Sequence, residues 1–318
     1  MSSFFSIRSL LMLGGVLVST VAMGASTYAN NVQAALEGEL LVIQGDNLAN
    51  RITIARANNG DVLVTGRQGT TVNGLPALRL RLPTINAVEL LMNGGDDDVI
   101  INGMQIANDL SVNLGEGNDA FRSGALPTNV GGNLIVTGEA GNETVRLANW
   151  SVGGDAMIDG QIGALNSQIS GFTVGFALTV VGDEQRDLVS ISQTSTGDFF
   201  YVETKGGNDS VSLSKVSGLG SMISTDMGAD VVSLIDVSAL EDIGVFAGTE
   251  NDQVSFENVA SAKNITVSLD SGNDSFTGTT VFAELDAVFE GGFGTDTYVD
   301  NGVLGLVKTD IKEFEIFP

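Results

Sequence analysis

The stretch Gly291-Gly292-Phe293-Gly294-Thr295-Asp296, "GGFGTD", followed by Thr297-Tyr298-Val299, decides how the rest of the chain is read. It is a glycine-rich turn that ends in an acid, with an apolar residue two places later. Searching for that arrangement finds it throughout: "GGDDDVI" with the acid at Asp98, "GEGNDAF" at Asp119, "EAGNETV" at Glu143 and "DEQRDLV" at Asp187. It continues as "KGGNDSV" at Asp209, "DMGADVV" at Asp230, "GTENDQV" at Asp252, "DSGNDSF" at Asp274 and GGFGTD itself at Asp296. The intervals are 21, 24, 44, 22, 21, 22, 22 and 22 residues, and 44 is two units with a degenerate copy near residues 160–170. A fixed period in this range is the signature of a stacked repeat architecture.

Each unit also carries an apolar pattern. Ile100, Phe121, Val145, Val189, Val211, Val232, Val254, Phe276 and Tyr298 stand two places after the acid, and Leu147, Ile191, Leu213, Leu234 and Phe256 four places after it. Alternation with period two marks a strand with one face inside. Nine and seven places before the acid come pairs such as Leu110/Val112, Leu134/Val136 and Ile265/Val267, a second strand. Two short strands in 22 residues cannot close a core alone, but stacked units bury a continuous apolar column. The expectation is an all-β, right-handed parallel β-helix of about ten coils, three-sided, the hand following from the usual crossover rule.

Composition agrees. The chain has 318 residues, 41 Gly, 4 Pro and 43% hydrophobic content, which favours strands joined by tight turns. Residues 30–88 depart from the period yet read as strands in "ELLVI", "RITIA", "DVLVT" and "LRLRL", with Asn50 in the acid's place. They are expected to form an N-terminal cap over an open sheet edge. The repeat domain occupies residues 89–318, with "IKEFEIF" as its last strand.

Residues 1–29 have the layout of a secretory signal peptide: Arg8 in a polar start, an apolar run from Leu10 to Val21, and Thr27 and Ala29 at the −3 and −1 positions. Ala22/Gly24 is a second cleavage choice, and a retained anchor the alternative. A bacterial protein, secreted or held at the cell surface, is expected, with no transmembrane segment in the mature chain. Its removal takes one Arg and no acid, moving the net charge from −25 to −26. A surface so acidic repels nucleic acid and attracts cations.

Stacked coils place the repeat acids one above another at roughly 4.8 Å. Two unit charges at that distance repel by about 0.9 kcal/mol in water and about 3.5 kcal/mol at an effective dielectric of 20. A bound cation or local hydrogen bonds must offset this. Glycine turns expose carbonyl oxygens beside the carboxylates, a donor set suited to Ca²⁺. The candidate ligands are Asp98, Asp119, Glu143, Asp187, Asp209, Asp230, Asp252, Asp274 and Asp296, with Asp270 four residues before its repeat acid. The other reading is that each Asp caps its own turn while Asn118, Asn142, Asn208, Asn251 and Asn273 stack as an amide ladder.

These motifs resemble the haemolysin-type (RTX-type) calcium-binding repeat, whose pattern is G-G-x-G-x-D-x-h-x with h apolar. Residues 291–299 match all nine positions, and the remaining copies keep mainly G-N-D-x-h. The resemblance implies Ca²⁺ held between successive turns and folding coupled to the ion. The chain departs from that family in repeating every 22 residues rather than nine, and in carrying an N-terminal export signal.

Without His or Cys, catalysis would fall to carboxylates, Arg, Lys or Tyr. Arg122 and Arg146, each three places after a repeat acid, suit a sugar carboxylate, and solvated cations on an acidic surface are the plainer reading. The function expected is therefore a non-enzymatic structural or adhesive β-solenoid that binds calcium and meets extracellular polysaccharide or cell-surface components. The alternative is a polysaccharide-active lyase or glycosidase-like β-helix.

Overall fold

The computed structural model describes residues 30–57, 59–81 and 85–315; the expected signal peptide lies outside the described residues. The described chain is all strand and turn, without a helix. It winds as a parallel β-solenoid in which a residue pairs with its equivalent about 22 places on, as Val211↔Val232, Val232↔Val254 and Val254↔Phe276 do.

Each coil has three walls, as expected of a three-sided helix, but each wall carries a strand, one more than the two per unit read from the sequence. The first follows the acid and the third precedes it, as expected. Between them lies a short second wall: Gln105–Ile106, Thr128–Val130, Trp150–Val152 and Thr173–Val174 in the early coils. From Leu188–Thr196 onward the first two walls fuse into nine-residue strands such as Ser210–Gly218 and Val231–Ala239. A residue with positive φ turns the corner inside each: Gln193 at 50°, Lys215 at 56°, Asp236 at 55° and Asn258 at 53°.

The turn that carries the acid is built on two left-handed positions. Four places before the acid stand Lys205, Asp226 and Asp270, with φ of 64°, 59° and 66°. Two places before it most coils carry glycine, which suits both the stacking and the φ, although Glu250 takes the place at φ 83°. A Cβ on Gly228, at φ +130°, would meet the Gly207 carbonyl oxygen at 1.5 Å, and one on Gly294 would meet that of Gly272 at 1.4 Å.

Inside, equivalent residues stack into continuous apolar rows. Trp150 is buried, edge-on to Phe121 at 5.9 Å and stacked on Phe172 at 6.2 Å, a core residue rather than a sugar platform. Phe256, Phe276, Phe289, Tyr298 and Phe314 form a second aromatic run toward the C-terminal end. Large aromatics bury the most apolar area per side chain, so these two runs weigh heavily in the core.

The first coil is Leu40–Gln44 with Arg51–Arg56, which pair in parallel with Ala87–Leu91 and Asp98–Asn102. Antiparallel strands then cover the open edge: Asn31–Glu37 against Leu40–Gln44, and Val62–Gly66 against both Arg51–Arg56 and Ala77–Leu80. At the far end the last strand is Lys308–Lys312. The expected strand "IKEFEIF" stops there because Glu313 has φ 59°, which swings Phe314 onto Tyr298.

Candidate functional site: the buried acid column

The repeat acids do fall into one column, and it faces inward. Asp119, Glu143, Asp187, Asp209, Asp230, Asp252, Asp274 and Asp296 are all buried. The N–H of Asp187 donates to Asp209 Oδ1 at 2.7 Å, that of Asp209 to Asp230 Oδ1 at 2.7 Å, and that of Asp230 to Asp252 Oδ1 at 2.8 Å. Asp252 N–H then reaches Asp274 Oδ1, and Asp274 N–H reaches Asp296 Oδ1, each at 2.8 Å. Each carboxylate from Asp209 to Asp296 thus reaches back to cap the same residue of the preceding coil, where the turn leaves an N–H without a ladder carbonyl.

Two positions differ from the expectation. The first rung is Asp97, not Asp98: Asn50 N–H donates to Asp97 Oδ1 at 2.6 Å, and Asp97 N–H to Asp119 Oδ1 at 2.7 Å. This makes the first interval 22, and the buried residue two places on is Val99 rather than Ile100. Asp98 points outward and bridges Arg67 at 3.0 Å and Arg122 at 3.7 Å. Asp270 is exposed on the turn, outside the column.

The degenerate copy is Leu165, whose N–H donates to Asp187 Oδ1 at 2.7 Å. It lacks a carboxylate, so the N–H of Glu143 bonds the Ala164 carbonyl instead, at 3.0 Å. Glu143 is left with both carboxyl oxygens buried and without a hydrogen-bond partner. At the C-terminal end Glu315 Oε2 closes the ladder by accepting the Asp296 N–H at 2.8 Å. Its spacing of 19 residues hides it from a search at period 22.

One place before the column, a second ladder runs on the outside in the opposite sense. Asn142 Nδ2 donates to Asn118 Oδ1 at 2.8 Å, Ala229 N–H to Asn208 Oδ1 at 3.0 Å, and Asn273 N–H to Asn251 Oδ1 at 2.7 Å. Here the earlier side chain reaches forward. These asparagines are structural, as the amide-ladder reading has it.

Burial governs the protonation of the column. It pushes Asp97, Glu143 and Asp252 up to about 8 and Asp187 to about 7, helped by neighbouring carboxylates and opposed by capped N–H groups. Asp119, Asp230 and Asp274 rise to about 6 for the same first cause, and Asp209 rises as well. At neutral pH a protonated Asp252 therefore separates ionised Asp230 and Asp274. Doubling their separation to roughly 9.6 Å halves the repulsion to about 1.7 kcal/mol at a dielectric of 20.

The other carboxylate oxygen, Oδ2, has no hydrogen-bond partner on Asp97, Asp119, Asp209, Asp230, Asp252, Asp274 or Asp296. A buried oxygen in that condition calls for a proton or a cation. Calcium takes six to eight oxygens, whereas these seven aspartates offer one free oxygen each. Among the described residues no cluster of three or more acidic, His or Cys groups is arranged to hold a metal. The side chains alone do not form a calcium cage; carbonyl and water oxygens would have to complete it.

Arg122 and Arg146 are in register on the outward side of adjacent coils. Arg122 shares Asp98 with Arg67, whose guanidinium also donates to the Asp98 carbonyl at 2.9 Å, fastening the cap to the first coils. No protein-family model, curated protein or solved structure matches the chain. Among the described residues no helix is long and apolar enough to cross a membrane.

Proposed function

We propose that the protein is an extracellular, non-catalytic rod of structural or adhesive type, whose stack is stabilised by cations along the acid column. The observation that carries the reading is the unbroken ladder from Asp187 to Glu315, which gives the molecule length and rigidity. About ten coils at 4.8 Å make a rod near 50 Å long. A surface groove bounded by Glu184, Gly206, Asn208, Met227 and Glu250 lies on the turns that carry the acids.

Calcium is the ion the motif implies. The unpartnered Oδ2 atoms of Asp209, Asp230, Asp252, Asp274 and Asp296 would be its protein ligands, and its charge would offset the repulsion along the column. Ions bound only by the folded stack stabilise it by mass action, and binding grows as the carboxylates deprotonate. The test is thermal unfolding of the mature chain with CaCl₂ against NaCl of equal ionic strength, at mildly acidic and mildly alkaline pH. A rise in Tm specific to calcium and larger at the alkaline pH is expected. Equal effects of the two salts would leave protons as the only counter-ions.

A further inference from the structure

The first wall carries charge unlike the rest of the molecule. Its outward row, three places after the column, is in strict register: Arg122↔Arg146↔Gln168↔Ser190↔Ser212↔Ser233. Every member is a hydrogen-bond donor. From Ala120 to Thr279 the outward positions of this wall hold two acids, Glu257 and, at the corner, Asp236, in a chain with 39 acids. At its N-terminal end Arg67 and Arg122 share Asp98, and among the described residues Arg146 makes no ion pair. The local balance is positive on a rod of net charge −25.

We infer that this wall is a binding track for an anionic polysaccharide, laid along the rod with its acid groups on Arg146 and Arg122 and its hydroxyls on the glutamine and serine row. The inference rests on the extracellular-rod reading and names its partner. Guanidinium groups bind carboxylate and sulfate by paired, charge-assisted hydrogen bonds. Serine hydroxyls both donate and accept, which matches sugar hydroxyls.

The overall negative charge does not forbid this. Screening falls off over about 8 Å at physiological salt, and packed sheets are about 10 Å apart, so the local wall outweighs the acids behind it. A nucleic acid is the other common polyanion, but the outward positions of this wall carry no aromatic ring on which bases could stack. A second copy of the chain would bring its own acidic surface to the track.

The experiment uses the mature chain in calcium-free buffer, so that its result does not depend on the cation proposal. Polygalacturonate, dextran sulfate, neutral dextran and single-stranded DNA are compared by affinity electrophoresis and calorimetry. Binding to polygalacturonate or dextran sulfate is expected, with the stronger of the two telling carboxylate from sulfate recognition, and weakening as salt rises. Arg146→Gln should lower affinity about tenfold, the loss of one good ion pair. Ser190→Glu, which leaves every arginine in place, should do at least as much. Circular dichroism should show both variants folded like the wild type. Retention equal to that of neutral dextran, tighter binding to DNA than to either glycan, or wild-type affinity in both variants would each overturn the proposal.

Discussion

Replacing Asp252 by Asn or Ala separates the two things the column does. Asp252 Oδ1 accepts the Asp230 N–H at 2.8 Å, and its carboxyl group stands between those of Asp230 and Asp274. Asn keeps the acceptor and removes the charge; Ala removes both. Because burial raises the Asp252 carboxyl to about 8, against about 4 in an unfolded chain, the folded state holds its proton longer. Its contribution is therefore fully present below about pH 4 and is lost as pH rises through about 8. Near pH 9 an ionised Asp252 meets two ionised neighbours. Two repulsions at about 4.8 Å bound the cost between about 2 kcal/mol in water and about 7 kcal/mol at a dielectric of 20. Without calcium, Asp252→Asn should sit within about 0.5 kcal/mol of wild type near pH 4 and be more stable by about 2–7 kcal/mol near pH 9. Asp252→Ala should lose about 1–3 kcal/mol near pH 4, for the Asp230 N–H left unpaired. Urea unfolding followed by circular dichroism at both pH values, in EDTA, reads the midpoints. An Asn variant less stable than wild type near pH 9 would refute the electrostatic reasoning and point to a cation held tightly enough to survive chelation.

Three further outcomes follow from the same geometry. Glu143→Leu should raise stability by about 1–3 kcal/mol at alkaline pH, since it replaces a buried acid lacking partners with the residue already present at Leu165; a loss of stability would show that the carboxyl group has a ligand. Gly228→Ala should cost upward of about 2 kcal/mol and broaden unfolding, because its Cβ would strike the Gly207 carbonyl at a φ of +130°, and an unchanged melting curve would refute the stacking requirement. Arg67→Gln should loosen the N-terminal cap, detected as faster amide hydrogen exchange in Arg51–Arg56 with the coils beyond Leu188–Thr196 unchanged.

The period, the coil count and the inward rows were legible because each depends on residues recurring at fixed distance. Three consecutive aspartates, Asp96–Asp98, fit the motif; the neighbours decide between them, since Val99 and Ile101 are buried and fix which Asp points inward. The strand of the second wall leaves little mark in the sequence, because Val130, Val152 and Val174 stand in strands of two or three residues, too short to show alternation. Trp150 begins one of them. That the column faces inward could not be read from charge, since an acid in a glycine turn suggests exposure. The signal lay in spacing: Asp252 and Val254 are two apart, and residues two apart on a strand share a face.

Where the period fails is itself explained by the walls. The interval of 24 arises at one corner: Ala120 pairs with Asp98 at a separation of 22, whereas Asn129 pairs with Gln105 at 24. The two added residues fall between those strands, around Ala125 and the exposed Leu126, whose N–H is held by Asn102 Oδ1 at 2.8 Å. The interval of 21 likewise arises at a corner, since Ser217 pairs with Ser195 at 22 but Gly220 with Phe199 at 21. A residue inserted into a wall would turn every later side chain of that strand to the opposite face and put apolar residues into water. At a corner it lengthens only a loop, at a fraction of a kcal/mol. The acid ladder imposes the complementary limit, because an N–H and an Oδ1 that must meet within 2.7–2.8 Å leave the turn no freedom of length. From Asp97 to Asp296 variation in coil length is thereby confined to the corners on either side of the second wall, away from the ladder and from the donor row; only the closing turn to Glu315 is shorter, where the longer Glu side chain makes up the reach.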